Sequence, residues 1–238
     1  MRKILTATAL AVVLLFACVQ GAMWQYDRHQ ARHAKNSVIT ANVEKSTLDE
    51  SQLNSLEDSS RAWRKLSITG SFIPDKEILL RNRYHEGKYG FGVITLFKSD
   101  QNNLYWVDRG WVIAGKDALT APVTQPVTSE QVEILTRVRI ENIEDRVAGS
   151  VFAVPSGENS QQLQKWNASE SVTTSDVYLD LISSSNPQFD PKVPAPLPTI
   201  TDGPHLAYSL QWLIFGLLVL LALFLVIREE RRPQAEKL

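Results

Sequence analysis

The stretch GSFIPDKEILLRNRYHEGKYGFGVITLF, residues 70–97, decides how the middle of this chain folds. FGVITLF at its end is apolar on both faces, the pattern of a central strand covered on both sides. EILLRNR, residues 77–83, is a second extended segment. Between them Gly87 and Gly90 flank a hairpin tip, where glycine tolerates positive φ. Arg81, Arg83 and Lys88 gather positive charge near that tip. It reads either as a solvated loop or as an anion site or docking loop for an acidic surface.

Upstream, WRKLSITGSF alternates with a period of two: Leu66, Ile68 and Phe72 share one face, and Lys65, Ser67 and Thr69 the other. Downstream, SDQNN makes a turn and LYWVDRGWVI, residues 104–113, is the next strand. There Arg109 shares a face with Val107 and Trp111, so its guanidinium requires a carboxylate or a stacking partner. Gly110 beside it predicts a bulge or a close backbone approach. QVEILTRVRI, GSVFAV and DVYLDLI bring the total to about seven strands, with a helical turn over ENSQQLQKWNAS. Short turns between strands imply a mostly antiparallel β-sheet or small barrel.

Each end of the chain holds a long apolar segment. ILTATALAVVLLFACVQGA begins at Ile4, and LIFGLLVLLALFLVI lies within residues 206–227. About 20 residues of helix cross about 30 Å of hydrocarbon. Arg2 and Lys3 before the first run also suit a secretory signal, but the run is long for a signal core and lacks a clean small-x-small site, so an uncleaved anchor is expected. The fold class is therefore an α+β membrane protein with two transmembrane helices flanking the β domain.

Arg228, Arg231, Arg232 and Lys237 after the second span predict a cytoplasmic C-terminus. Arg2 and Lys3 favour the same side for the N-terminus, while Arg28, Arg32 and Lys35 argue mildly the other way. The expected layout is a cytoplasmic tail (1–3), a transmembrane helix (4–23), a helical polar connector (24–60), a periplasmic β domain (61–185), a Pro-rich strap (186–205), a second transmembrane helix (206–227) and a cytoplasmic tail (228–238). A bacterial inner membrane fits this layout. In the connector, Ser46 or Thr47 can cap a short helix whose apolar face is Leu53 and Leu56. The strap follows from composition: six of the eleven prolines lie in residues 186–204, favouring an extended, semi-rigid chain.

A net charge of −1 gives no basic face for nucleic acid. Cys18 is the only cysteine and lies inside an apolar segment, which excludes a disulfide framework and a CxxC site. There is no Gly-x-Ser-x-Gly elbow, His-Glu-x-x-His or phosphate loop, so no enzyme is expected. Of the four histidines, His85 sits in the basic hairpin and is expected to be solvated. His29 and His33, four apart on a helix, face one side and could hold a metal. His205 stands at the mouth of the second span, about one turn before Tyr208 and two before Trp212. These aromatic side chains favour the headgroup layer. A lone imidazole there reads, from the residues alone, as an interfacial group that caps the helix or bonds a neighbour.

Several of these residues carry a family resemblance. Gly70-x-Phe72 with Leu79–Leu80 and Arg81, two glycines, a hydrophobic strand, RGWV at 109–112 and HLAY at 205–208 together resemble the surfeit locus protein one (Shy-one) family. The two-span layout agrees. The chain departs from the family pattern at Leu96, Ile113 and Pro204, and at Asp108, where the family usually has asparagine. The resemblance implies assembly of haem–copper cytochrome c oxidase within respiratory-chain biogenesis. It implies a chaperone-like factor that binds haem a transiently and assists its insertion into subunit I alongside other assembly factors. His205 would then ligate iron, Tyr208 and Trp212 would fix depth, and Arg81, Arg83 and Arg109 would contact partners or propionates. A cofactor-free scaffold of the same complex is the alternative.

Overall fold

The structure is a computed structural model and describes residues 1–116, 120–140, 162–198 and 200–231. The chain divides into two compact units, Met1–Asn36 with Thr201–Leu238, and Ser37–Ile200.

The first unit is a pair of helices, α1 (Arg2–Val43) and α5 (His205–Arg231). α1 continues without interruption from the apolar run to Val43. Both helices are long and apolar enough to cross a membrane. Contacts between them follow an antiparallel register: Lys3 meets Glu230 at 3.3 Å, Ser209 Oγ donates to the Ala22 carbonyl at 2.8 Å, and His205 Nδ1 meets Gln25 Oε1 at 2.9 Å. Small residues let the helices approach. A Cβ at Gly21 would lie 2.7 Å from the Trp212 indole. Cys18 is buried in this unit and packs as a small apolar group. Most large side chains of α5, among them Leu210, Leu213, Leu217 and Phe224, face outward. Arg232 and Lys237, used for the orientation, lie outside the described residues.

The second unit is a barrel. α2 (Glu50–Ser55) and α3 (Asp58–Arg61) precede β1 (Lys65–His85), β2 (Lys88–Ser99), β3 (Leu104–Ile113) and β4 (Val132–Arg139); α4 (Gln162–Glu170) and β5 (Tyr178–Ser184) follow. The strands close in the order β1-β2-β3-β5-β4. Among these five strands every pairing is antiparallel except β3 with β5. The predicted strand over GSVFAV falls outside the described residues.

Two segments read as separate strands are one. β1 pairs with β4 through Lys65–Gly70 and with β2 from Gly70 onward. Gly70 is where the partner changes, and a Cβ there would lie 2.1 Å from the Lys98 carbonyl oxygen. The pairing slips between Ile73 and Glu77, around Pro74, and again between Leu80 and Arg83. Pro74 lacks a ladder N–H, so the strand survives it as an irregularity. The hairpin turn is Glu86–Gly87, both at positive φ, the two-residue turn that suits a twisted hairpin. Gly90 is not part of that tip. It lies within β2, and a Cβ there would lie 2.4 Å from the Trp111 indole.

Leu66, Ile68, Phe72, Phe97, Tyr105, Val107, Ile134 and Leu179 fill the barrel core. The opposite faces of β2 and β3 place Ile94, Leu96 and Trp106 against Leu163 and Trp166 of α4. β2 is buried from Gly90 to Phe97, as its two-faced apolar pattern requires. The α2 cap is Asp49, with Gln52 completing a capping box, rather than Ser46 or Thr47. Leu48 is held extended by hydrogen bonds to Lys65 and Ser67, so the helix begins after it. The first half of the Pro-rich segment is built into the barrel instead of forming a strap throughout. Pro187–Phe189 makes a 3-10 turn, Phe189 is buried against Phe72, and the Val193 carbonyl accepts from Trp111 N at 2.9 Å.

Candidate functional site

His205 is the first residue of α5 and is half-buried. With Gln25 Oε1 facing Nδ1 at 2.9 Å, Nδ1 is the donor and the neutral ring keeps its lone pair on Nε2. The spacing His205, Ser209, Trp212 forms one stripe of α5 turned toward α1, where Gln25, Ala22 and Gly21 meet it. Tyr208 falls beside this stripe and is exposed.

One and two turns beyond Gln25 on α1 stand His29 and His33, with ring centroids 6.1 Å apart. His33 is engaged by Asp202 at 2.9 Å, and Asn36 donates to the same carboxylate at 2.6 Å. The His33 bond, then the Asn36 bond, hold the Asp202 carboxyl below its usual range. Among the described residues no group of three His, Cys, Asp or Glu could hold a metal ion. The sequence marked His29, His33 and His205 but not Gln25 or Asp202. An i, i+4, i+8 series of polar residues at 25, 29 and 33 was the available signal.

In the barrel, the RGWV segment adopts a special geometry. Arg109 is buried, with Nη1 3.2 Å from Glu77 and 3.4 Å from Thr95 Oγ1. Its Nη2 donates to the Gln125 carbonyl, and its guanidinium lies over the Phe72 ring at 5.6 Å. This supplies both the carboxylate and the stacking partner that a cation in an apolar strand requires. Burial lowers the Arg109 pKa, and Glu77 opposes the shift. Gly110 has φ of +93°, and a Cβ there would lie 2.2 Å from the Val193 carbonyl oxygen, which is the close approach the sequence suggested. Trp111 crosses Gly90 and donates to the Arg83 carbonyl at 3.2 Å. His85 rests against the same indole at 5.3 Å, so it is not a merely solvated tip residue.

Arg81 and Arg83 part company. The slip between Leu80 and Arg83 leaves Arg81 exposed and Arg83 buried. Arg83 lies near an ionic cluster that the sequence did not disclose. Asp108 on β3 is paired in register with Asp180 on β5. Arg139 donates to Asp180 at 2.6 Å and stacks over Trp63 at 4.0 Å. Asp108 Oδ1 accepts from the Gly110 N–H at 2.7 Å. Asp108 Oδ2 and Asp180 Oδ1 are buried without a hydrogen-bond partner among the described residues. Burial, and then the charge of Asp180, push the Asp108 pKa up to about 7, against the pull of the Gly110 N–H, Arg83 and Arg139.

A further buried carboxylate, Glu50, accepts at Oε1 from Ser99, Asn103 and Tyr105 at 2.7–2.9 Å, joining α2 to the β2–β3 turn. Burial, and then Glu50, push the Tyr105 phenol up.

Two long apolar helices at the ends of a chain whose middle forms a mixed closed barrel define a two-helix barrel architecture compatible with a membrane protein. A sequence model of the SURF1 family matches residues 12–217, and the chain belongs to that family, which is generally related to oxidase assembly. SURF1-like proteins of Mycobacterium bovis and Mycobacterium tuberculosis are each 30% identical over 227 residues, covering 90% of this chain and 80% of theirs. A SURF1-like protein of Rickettsia felis is 28% identical over 131 residues, 54% of this chain and 55% of its own.

Proposed function

We propose that this protein is an assembly factor for haem–copper cytochrome c oxidase that holds haem a transiently at His205 and assists its insertion into subunit I. The observation that carries this reading is the His205–Gln25 pair. Fixing the proton on Nδ1 leaves Nε2 as a neutral donor suited to iron. The surroundings fit an amphiphilic macrocycle: an outward apolar surface on α5, with Tyr208 and Trp212 close in sequence to the imidazole. Haem a is cargo here, and a single imidazole ligand favours release as well as capture. The protein acts without catalysis. It lies in the bacterial inner membrane with both termini cytoplasmic and the barrel in the periplasm. Partners are subunit I and other assembly factors, and exposed Arg81 is available to meet them.

The test is to purify the full chain from cells that make haem a and record its absorption spectrum. A haem a spectrum is expected, lost in His205→Ala with circular dichroism unchanged. Gln25→Leu should weaken binding about tenfold, the usual cost of removing a partner that orients a ligating histidine. A spectrum that persists without His205 refutes the assignment. A haem-free protein leaves the cofactor-free scaffold as the reading.

A further inference from the structure

The reading above uses the helix pair and leaves the barrel's RGWV segment without a role. Its side chains converge on one cleft. Arg109, Trp111, Val112 and Ile113 line a cavity of about 470 Å³, closed on one side by residues 123–126 and on the other by residues 189–193. That volume lies within the range of small-molecule sites. Gly110 builds one wall, because its lack of a Cβ is what lets Val193 come against β3.

The lining has two characters. Val93, Trp111, Ile113, Val123 and Phe189 make it largely apolar. Ile113 is 57% exposed and Val123 92% exposed, large apolar side chains set toward water beside a cavity. Against this stand two cations, Arg109 and Lys192, and one carboxylate, Asp190. Asp190 is already committed to the Ser184 N–H at 2.6 Å. Arg109 has a side chain only 4% exposed, and its Nε has no hydrogen-bond partner among the described residues. A buried donor on a guanidinium is costly to leave unmade, and an anionic acceptor is its strongest partner.

We propose that this cleft binds a carboxylate-bearing apolar molecule, its body against Trp111, Ile113 and Val123 and its carboxylate at Arg109 and Lys192. A fatty acid and a porphyrin side chain offer the same chemistry. The site stands independently of iron ligation at His205.

The full chain is placed in phosphatidylcholine nanodiscs, in the His205→Ala background, so that failure here is distinct from failure of haem ligation. A diazirine-bearing dodecanoate is photolysed, and the labelled peptides are mapped by mass spectrometry. Labelling of residues 109–113, 123–126 and 189–193 is expected, about tenfold above that by the methyl ester, the weight of one charge-assisted hydrogen bond. Val123→Glu, at an exposed position that leaves the fold intact, should cut the labelling severalfold by like-charge repulsion. Arg109→Lys, checked by circular dichroism, should do the same. Competition by metal-free protoporphyrin IX supports the porphyrin source of the carboxylate. Intact dodecanoate labelling without such competition supports the fatty acid. Equal labelling by acid and ester, labelling confined to α1 and α5, or indifference to Val123→Glu overturns the proposal.

Discussion

The helix pair and the barrel handle polar groups in opposite ways. In the helical unit, the polar contacts include Ser209 with a backbone carbonyl, His205 with Gln25, and His33 and Asn36 with Asp202 just before α5, each a small local group. The barrel instead draws charged side chains from three strands, Asp108, Asp180 and Arg139, into one buried cluster, and leaves carboxylate oxygens in it without hydrogen-bond partners among the described residues. A helix satisfies its own backbone and needs few side-chain bonds to define its packing. A small barrel with strands handed from one partner to another has its register to fix. Buried ionic groups in it are costly unless every lone pair is met. The helix pair should therefore tolerate polar substitution quietly, and the barrel should respond strongly.

The largest expected effect comes from Arg139→Ala. It leaves Asp180 buried without its cation and should destabilise the barrel by about 3–5 kcal/mol, read as a large drop in thermal midpoint of the full chain in nanodiscs. Gly110→Ala comes next. A side chain at φ of +93° with its Cβ 2.2 Å from the Val193 oxygen should cost about 2–3 kcal/mol and expose Phe189, seen as faster hydrogen exchange over 189–195.

Asp108→Asn moves the comparison the other way and should stabilise. Asparagine can still accept from Gly110 and can donate to Asp180. The sign follows from the raised pKa. Folded Asp108 binds a proton more tightly than it does unfolded, so wild-type stability is highest below about pH 4 for this group and is lost as pH rises through about 7. The asparagine variant should thus gain about 2 kcal/mol at pH 8 and gain nothing at pH 4. An equal gain at both pH values would remove the ionic explanation. The smallest effect is Ser209→Ala, about 0.6 kcal/mol, because an interhelical hydroxyl bond in an apolar setting contributes little beyond what the separated helices recover.

Several elements were legible from local pattern. The period-two stripe of Leu66, Ile68 and Phe72 faces the core, and FGVITLF is buried on both faces. The need of Arg109 for a carboxylate and the close approach at Gly110 were also readable, because each follows from a residue's own chemistry. The identity of the partners was not. Glu77 reaches Arg109 from 32 residues away, and Val193 reaches Gly110 from 83. WRKLSITGSF and EILLRNR read as two strands, yet β1 continues through Pro74 by slipping register. Asp108 and Asp180, read singly, are ordinary strand carboxylates. Only the parallel pairing of β3 with β5 sets them side by side.

The sequence by itself determined the two apolar helices, the strand-forming middle and the histidine at the mouth of α5, since length, hydropathy and alternation are properties of contiguous residues. Tertiary structure alone decided which nitrogen of His205 is held, which cations are committed, and that RGWV lines a cleft rather than a plain strand end. Those outcomes depend on groups far apart in the chain being brought within about 3 Å, the reach of a hydrogen bond, and no local pattern encodes that distance.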